Sequence, residues 1–333
     1  MNVLNRDQQL ALAAEANRAP SAHNTQQARW RFLPNGSVRL YEDLSGRLTI
    51  EDPTGRDALV GLGSAFEGMH IALTARGLGL SDAEPPTSDD APPGLVRVAD
   101  AALRHVEQPD EFADAVKLRH TYRGKFKEVA SALPRLRKLL DNMPDIAPVY
   151  EAKVIPAIAH LHDDCSIEFL KRMDYQSELR EWIRFSPKDV RWARDGLTAE
   201  CLGLSRIERR LARVLLTPYV FHVLARCGLG RPLTSEAPMV RSSTAIAVLH
   251  AGRDESALDS GRRFYRFLLE LCRAGFSACP MSTLVDSERG TQWLRETLHI
   301  PGDRQLVNVF RVGPSPSIQQ CTSPRRPAEE LLV

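Results

Sequence analysis

Ala19-Pro20-Ser21-Ala22-His23-Asn24-Thr25-Gln26 is the stretch on which the reading of this chain turns. Pro20 fixes its own φ, Ser21 offers a hydroxyl, and Asn24 and Gln26 offer amides, just ahead of a strand predicted over residues 30–33. A second stretch, Arg119-His120-Thr121-Tyr122-Arg123, complements it. Read as helix, it sets two guanidinium groups four apart on one face with the Thr121 hydroxyl between them. Guanidinium matches the geometry of phosphate oxygens and keeps its charge at any relevant pH. Together the two stretches point to a site for a flat, hydrogen-bonding ring system that carries a phosphate. Taken singly, each has a plainer reading. The first is a Ser- and Asn-rich turn, the second a solvated basic helix face shared with Lys117 and Lys125.

The pairing resembles the nitroreductase superfamily of FMN proteins. In that family an Arg-x-Ser/Thr-x-Arg segment grips the flavin phosphate, and a Pro-Ser-x-x-Asn-x-Gln segment lies against the ring and ribityl chain. Ordinary members are homodimers whose two elements come from different subunits. Here the first half carries Pro20, Ser21, Asn24 and Gln26, and the second carries Arg119, Thr121 and Arg123. The resemblance therefore implies a dimer fused into one polypeptide with one intact composite site, similar to the duplicated, Acg-like branch. It implies an α+β fold of two pseudo-symmetric nitroreductase-like halves, each a mainly antiparallel sheet flanked by helices. The halves would span 1–108 and 109–333, the second with a helical insertion at about 188–230.

The closing Ser323-Pro324-Arg325-Arg326-Pro327-Ala328-Glu329-Glu330-Leu331 resembles the family's Lys-x-Arg-x-Pro-Leu-Glu-Glu ending. Arg325 falls on the family arginine, Ser323 stands where the lysine would be, and the adjacent Arg326 is a candidate substitute. A frayed basic tail is the alternative. Three departures bear on the ring. Gln27-Ala28 follow Gln26 in place of Pro-Trp, Gly68 occupies the position of a flavin-touching helix Asn, and Arg123-Gly124-Lys125-Phe126 keeps only the ends of an Arg-Arg-Pro-Phe motif. The phosphate contacts survive better than the ring contacts.

The implied activity is that of an FMN-dependent oxidoreductase working by ping-pong hydride transfer. NADPH or NADH would reduce the flavin, and a nitroaromatic, a quinone or a biosynthetic intermediate taken in the reverse sense would be the partner substrate. No side chain is assigned as a catalytic acid or base, because the chemistry belongs to the cofactor. In Acg-like relatives a segment around an Asp-Gly covers the flavin, which implies a lid around Asp195-Gly196, with a surface helical hairpin of no catalytic consequence as the alternative for the insertion. That lid opens an alternative reading, a protein that stores or sequesters FMN without turnover. A binding-deficient relative with a structural role is a third.

Composition bounds these readings. The chain has 333 residues, long for one core and suited to two packed halves, with 43% hydrophobic and 26% charged residues. A net charge of +2, from 44 basic and 42 acidic residues, makes no electrostatic case for nucleic acid. The six cysteines form no Cys-x-x-Cys and read as free thiols in a reducing cytoplasm. The first residues lack the pattern of a signal peptide. The apolar stretch 214–225 is shorter than the roughly 20 residues a bilayer needs, so burial is expected for it, with a lid or a weak membrane contact as alternatives. The fused halves would make a monomeric pseudo-dimer or a homodimer. His160 and His162 on one helix would point about 200° apart, which argues against a shared metal. Gly61-Leu62-Gly63 has Phe66 where a dinucleotide-binding loop needs its third glycine, and no nucleophile elbow or zinc-protease pair is present.

Helices are predicted over 7–16, 58–80, 109–118, 131–142, 158–182 and 260–275. Strands are predicted at 30–40 (a hairpin about Pro34-Asn35-Gly36), 96–98, 149–155, 244–250 and 306–312, with a surface loop over 82–94. Residues 61–80 align with 261–278 as an internal match.

Overall fold

Asn5 accepts from the Gln8 N–H at 2.9 Å while Gln8 returns the bond, and this reciprocal cap starts helix α1 (Arg6–Ala16). The computed structural model describes residues 4–86, 90–316 and 323–333, so the predicted loop over 82–94 falls partly outside it. Beyond the Pro20 loop, strands β1 (Ala28–Phe32) and β2 (Ser37–Asp43) form the expected hairpin, with Gly36 at φ +82° in the turn. Helix α2 (Arg56–Thr74) follows, then β3 (Leu78–Leu80) and β4 (Leu95–His105). The predicted helix over 58–80 thus ends early. Gly77 adopts φ +71° just past the helix, and the next three residues pair with β4 instead. The strand predicted at 96–98 grows to 11 residues because it lies between two partners.

The second half opens with α3 (Ala115–Leu118) and α4 (Ala132–Leu140), then β5 (Ile146–Val149). Helices α5 (Val154–Leu170) and α6 (Met173–Glu181), the short strands β6 (Ile183–Arg184) and β7 (Leu197–Thr198), and α7 (Arg206–Leu215), α8 (Pro218–Arg226), α9 (Gly230–Thr234) and α10 (Ala237–Arg241) come next. The chain finishes through β8 (Ala245–Gly252), α11 (Ala257–Arg273), β9 (Phe276–Pro280), α12 (Thr283–Asp286), α13 (Glu288–Leu298) and β10 (Arg304–Pro314). The strand predicted over 149–155 stops at Val149. Val154 and Ile155 look β-prone but open a helix in which the buried Ile155, Ile158, Ala159, His162 and Cys165 recur at helical spacing, with Leu161 and Asp163 buried beside them. The predicted helix over 158–182 is broken at Arg172, whose backbone is extended.

Two four-stranded antiparallel sheets result, ordered β1-β2-β4-β3 and β5-β8-β10-β9. The orders are the same once β1, β2, α2, β3 and β4 are matched to β5, β8, α11, β9 and β10. The architecture is α+β. The residues expected as an insertion at 188–230 lie within the long connection between β5 and β8, where the first sheet has only the turn at 33–36.

Helices α2 and α11 cross between the sheets. A Cβ on Gly63 would sit 1.9 Å from the Leu258 carbonyl oxygen, and one on Gly261 would sit 2.2 Å from that of Val60. The Ser64 hydroxyl donates to the Gly261 carbonyl at 3.0 Å. The contact is reciprocal, as in a two-fold interface. One offset relates Val60 to Leu258, Gly63 to Gly261, and the helix-ending Gly77 to Gly275, both at positive φ. The expected internal match is therefore corrected at its opening, where Gly63 rather than Gly61 answers Gly261. Tyr265 and Leu269 of α11 enter the first sheet's core, and Val60 of α2 enters the second's.

Two further sequence expectations fail. Cys165, Cys227, Cys272 and Cys279 are free thiols, but Cys201 is disulfide-bonded, while Cys321 lies outside the described residues. In the stretch 214–225 only Phe221 is buried, because the stretch is split between the end of α7 and α8 on the surface. No helix among the described residues is long and apolar enough to cross a membrane.

Candidate functional site

The Pro20 loop is strained and heavily braced. His23, Asn24 and Gln26 adopt φ of +44°, +60° and +56°, a region side chains rarely occupy. Bonds within the protein hold it there. The Ser21 hydroxyl accepts from the Gln26 N–H at 3.0 Å. The Gln26 amide donates to the Arg194 carbonyl at 2.9 Å, and its oxygen accepts from Asn17 at 2.7 Å and from the Arg326 N–H at 2.9 Å. Asn24 donates to the carbonyls of Pro324 at 3.0 Å and Gly196 at 3.2 Å. His23 Nε2 meets Glu51 at 2.5 Å; burial lowers its pKa, but that carboxylate outweighs burial and leaves it raised.

The arginine stretch is not helical. Helix α3 ends at Leu118, Arg119 is extended, Thr121 forms a bridge with Ala278, and the Tyr122 N–H donates to the Ala278 carbonyl at 3.2 Å. Pairing with the edge of β9 has overridden the local helical preference. In extended backbone, positions 119, 121 and 123 share one side, so all three candidate side chains are aligned rather than two.

Arg119 meets Arg325 in a cationic cluster, with Arg123 within electrostatic reach of Arg119. Arg119 and Arg325 both donate to the Arg18 carbonyl, at 3.4 and 3.1 Å. Arg325 also donates to the Asn24 side-chain oxygen, which ties the C-terminal segment to the Pro20 loop. The Arg119 Nε is buried without a partner. Burial, with Arg119 and Arg18 nearby, pushes Arg325 down to about 9. Burial likewise lowers Arg119, with Arg123 adding repulsion. No carboxylate forms an ion pair with Arg119, Arg123 or Arg325 among the described residues. Because guanidinium stays protonated, the shift expresses a penalty that a bound anion would remove.

Arg326 is placed differently. Its guanidinium donates to Asp195 at 3.2 Å, and Asp195 also takes Arg184 at 2.7 Å and Arg191 at 2.9 Å. This buried carboxylate fastens the segment before Gly196 to the C-terminal segment. Gly196 is at φ +77°, and a Cβ there would lie 2.6 Å from the Trp182 carbonyl oxygen.

Pro20, Ser21 and Gln26 line a cavity of about 10 Å³ against Gly61, Leu62 and Ala65, about the room of one water. Thr121 and Arg123 line another of about 20 Å³ with Glu200, Cys201 and Ser323. The two expected elements are joined through Arg325 and Asn24 but do not share one open pocket in this conformation.

Sequence reasoning missed Tyr265. It is fully buried on α11, and its hydroxyl lies beside Arg119 without a well-aligned hydrogen bond among the described residues, while Arg325 and Arg18 act on it from further off. Gly68, the position at which the resemblance places an Asn, packs between α1 and Tyr265: a Cβ there would crowd the Ala16 carbonyl at 3.0 Å and touch the Tyr265 ring at 3.4 Å. Only the α2–α11 register could have revealed this residue. Among the described residues no group of three or more His, Cys, Asp or Glu is placed to hold a metal; His160 instead meets Arg241 at 2.9 Å.

No protein-family model matches the chain. A Mycobacterium tuberculosis protein provisionally named NAD(P)H nitroreductase Acg is 24% identical, the alignment spanning 95% of this chain and 92% of that protein. An uncharacterised protein of the same organism is 26% identical over 95% of this chain and 90% of its own length. Among solved structures, one from Anabaena variabilis provisionally named a nitroreductase is similar at 10% identity and TM-score 0.45, covering 93% of this chain and 88% of that one. A Bacteroides fragilis nitroreductase with bound FMN is similar at 9% identity and TM-score 0.34, covering 64% of this chain and 93% of that one.

Proposed function

We propose, from the premise that this chain belongs to the nitroreductase superfamily, that it is an FMN-dependent oxidoreductase. The observation that carries the reading is the half-buried pair Arg119 and Arg325, with Arg123 in electrostatic reach, which among the described residues has no ion-paired carboxylate and one buried guanidinium nitrogen without a partner. A phosphate monoester supplies the missing charge and acceptors. Arg119, Arg123 and Arg325 hold the phosphate, with Thr121 beside them, while Pro20, Ser21 and Asn24 face the ring and ribityl chain. Arg326 and Gln26 act one step back, by fixing Asp195 and the Pro20 loop. Bound FMN supplies a hydride acceptor for NADPH or NADH and a donor to a small organic acceptor. The residues around it bind, orient and exclude water.

The repeated sheet order and the reciprocal helix crossing support a duplication of one nitroreductase-like half, with one site kept. A second reading, FMN storage, is favoured by the segment 194–196 and the C-terminal residues 324–326, which close on Asn24 and Gln26. Anaerobic addition of NADPH or NADH to the flavin-loaded protein decides between them. Fast bleaching of the flavin absorbance is the expected result. Persistent oxidised flavin selects storage, and a protein that takes up no FMN overturns both. Arg119→Gln lowers FMN affinity by at least about tenfold and leaves riboflavin affinity unchanged.

A further inference from the structure

Helix α7 turns its apolar stripe the wrong way for a globular protein. Ile207, Leu211 and Val214 lie four and three residues apart, hence on one face, and are 72%, 53% and 58% exposed. No residue of this helix is buried. An amphipathic helix ordinarily buries such a stripe against its own core. Here the helix is held mainly by backbone groups at its far end, where Arg180 donates to the Arg213 carbonyl at 3.0 Å. On α8, Tyr219 and Val223 extend the patch, 73% and 44% exposed and again four apart.

The flank of the stripe is basic. Arg206, Arg210 and Arg213 repeat the spacing of the apolar residues one position earlier, so they form a parallel row beside them. Arg209 and Arg226 add charge on the same two helices, and none of the five forms an ion pair among the described residues. Glu208 is the one acidic residue of α7 and α8, and its carboxylate is occupied by the Ser205 N–H at 2.8 Å in the helix cap. A second copy of the chain docking here about a two-fold axis would bring the two arginine rows together. Nucleic acid would leave the apolar stripe uncovered.

We propose that α7 and α8 form a docking surface for an anionic lipid bilayer. The apolar stripe enters the boundary between headgroups and acyl chains, and the arginines reach the headgroup phosphates along their own apolar stems. The chain lies on the membrane reversibly and does not span it. The proposal is independent of the cofactor reading.

Vesicle flotation of the full chain tests it. The protein is expected to float with phosphatidylcholine–phosphatidylglycerol vesicles, to stay behind with phosphatidylcholine alone, and to be released by salt. Arg206→Gln and Arg210→Gln each lower partitioning about fivefold. Ile207→Ser with Leu211→Ser removes it even at low salt. These residues are exposed, so the variants should melt at the wild-type temperature, and a melt on each preparation establishes that. Folded protein that ignores phosphatidylglycerol vesicles overturns the proposal, as does equal flotation of wild type and both variant sets. So does a lipid-free dimer that the Ile207→Ser, Leu211→Ser variant dissolves, because the face would then belong to a second copy.

Discussion

The two sides of the α2–α11 crossing occupy equivalent positions in the molecule and are wired in opposite ways. The offset that carries Gly63 to Gly261 carries Glu67 to Tyr265. On the Glu67 side, a buried carboxylate takes Arg262 at 2.9 Å and Arg266 at 2.7 Å, and Asp110 takes Arg266 at 2.8 Å. Charge there is balanced from within. On the Tyr265 side, α2 presents Ser64 and Gly68 where α11 presents Arg262 and Arg266. Arginines arrive instead from outside the two helices, from Arg119 and Arg325, and among the described residues no carboxylate forms an ion pair with them. A folded chain does not gather half-buried cations without a counterion for stability's sake. The difference teaches that one scaffold was closed off electrostatically at one end and left waiting for an anion at the other.

That comparison is broken most severely at its axis. Gly63→Ala and Gly261→Ala each force a methyl into backbone, so each should lower unfolding free energy by about 3 kcal/mol, the upper part of the usual overpacking range. Urea unfolding of both variants gives the check. Similar losses support an axis of equivalence, whereas a tolerated Gly63→Ala beside a crippled Gly261→Ala would show that the reciprocity is only apparent. Glu67→Ala comes next. It removes the close partner of Arg262 and one of the two carboxylates on Arg266, which keeps Asp110, and both arginines hold part of their side chains in water, so about 2 kcal/mol is expected rather than the 3–5 of fully buried pairs. Flavin binding should survive it, since the network lies on the other side of the crossing. Lost binding in a folded Glu67→Ala protein would couple the two sides and refute their independence.

The sequence made some of this legible and hid the rest for physical reasons. The hairpin about Pro34-Asn35-Gly36 and the strands β8 and β10 could be read because turn chemistry and apolar patterning are local. Part of the candidate site could be read by residue type, since Arg325 does reach Asn24 and shares the Arg18 carbonyl with Arg119. Its geometry could not. The Arg119–Arg123 stretch is extended because β9 offers it an edge, and an edge is a tertiary fact. Arg326 looked interchangeable with Arg325, yet Asp195, 131 residues away, claims it. Tyr265 carried no motif and becomes visible only once two helices are put in register.

Tyr265 supplies the finest test of the asymmetry. Its hydroxyl is buried beside Arg119 and forms no well-aligned hydrogen bond among the described residues, so Tyr265→Phe removes at most a weak contact and should leave thermal stability nearly unchanged. Burial holds the phenol above its ordinary pKa despite the arginines, so it remains a neutral donor. If the hydroxyl donates to the phosphate that Arg119 and Arg325 enclose, its loss weakens FMN about tenfold, as for a hydrogen bond to a charged group. Riboflavin, which lacks the phosphate, should bind wild type and variant alike. A drop in melting temperature with equal loss of FMN and riboflavin would make Tyr265 a packing residue. Unchanged FMN affinity would place the phosphate nearer Arg123, away from the crossing, and the contrast with Glu67 would then concern charge alone.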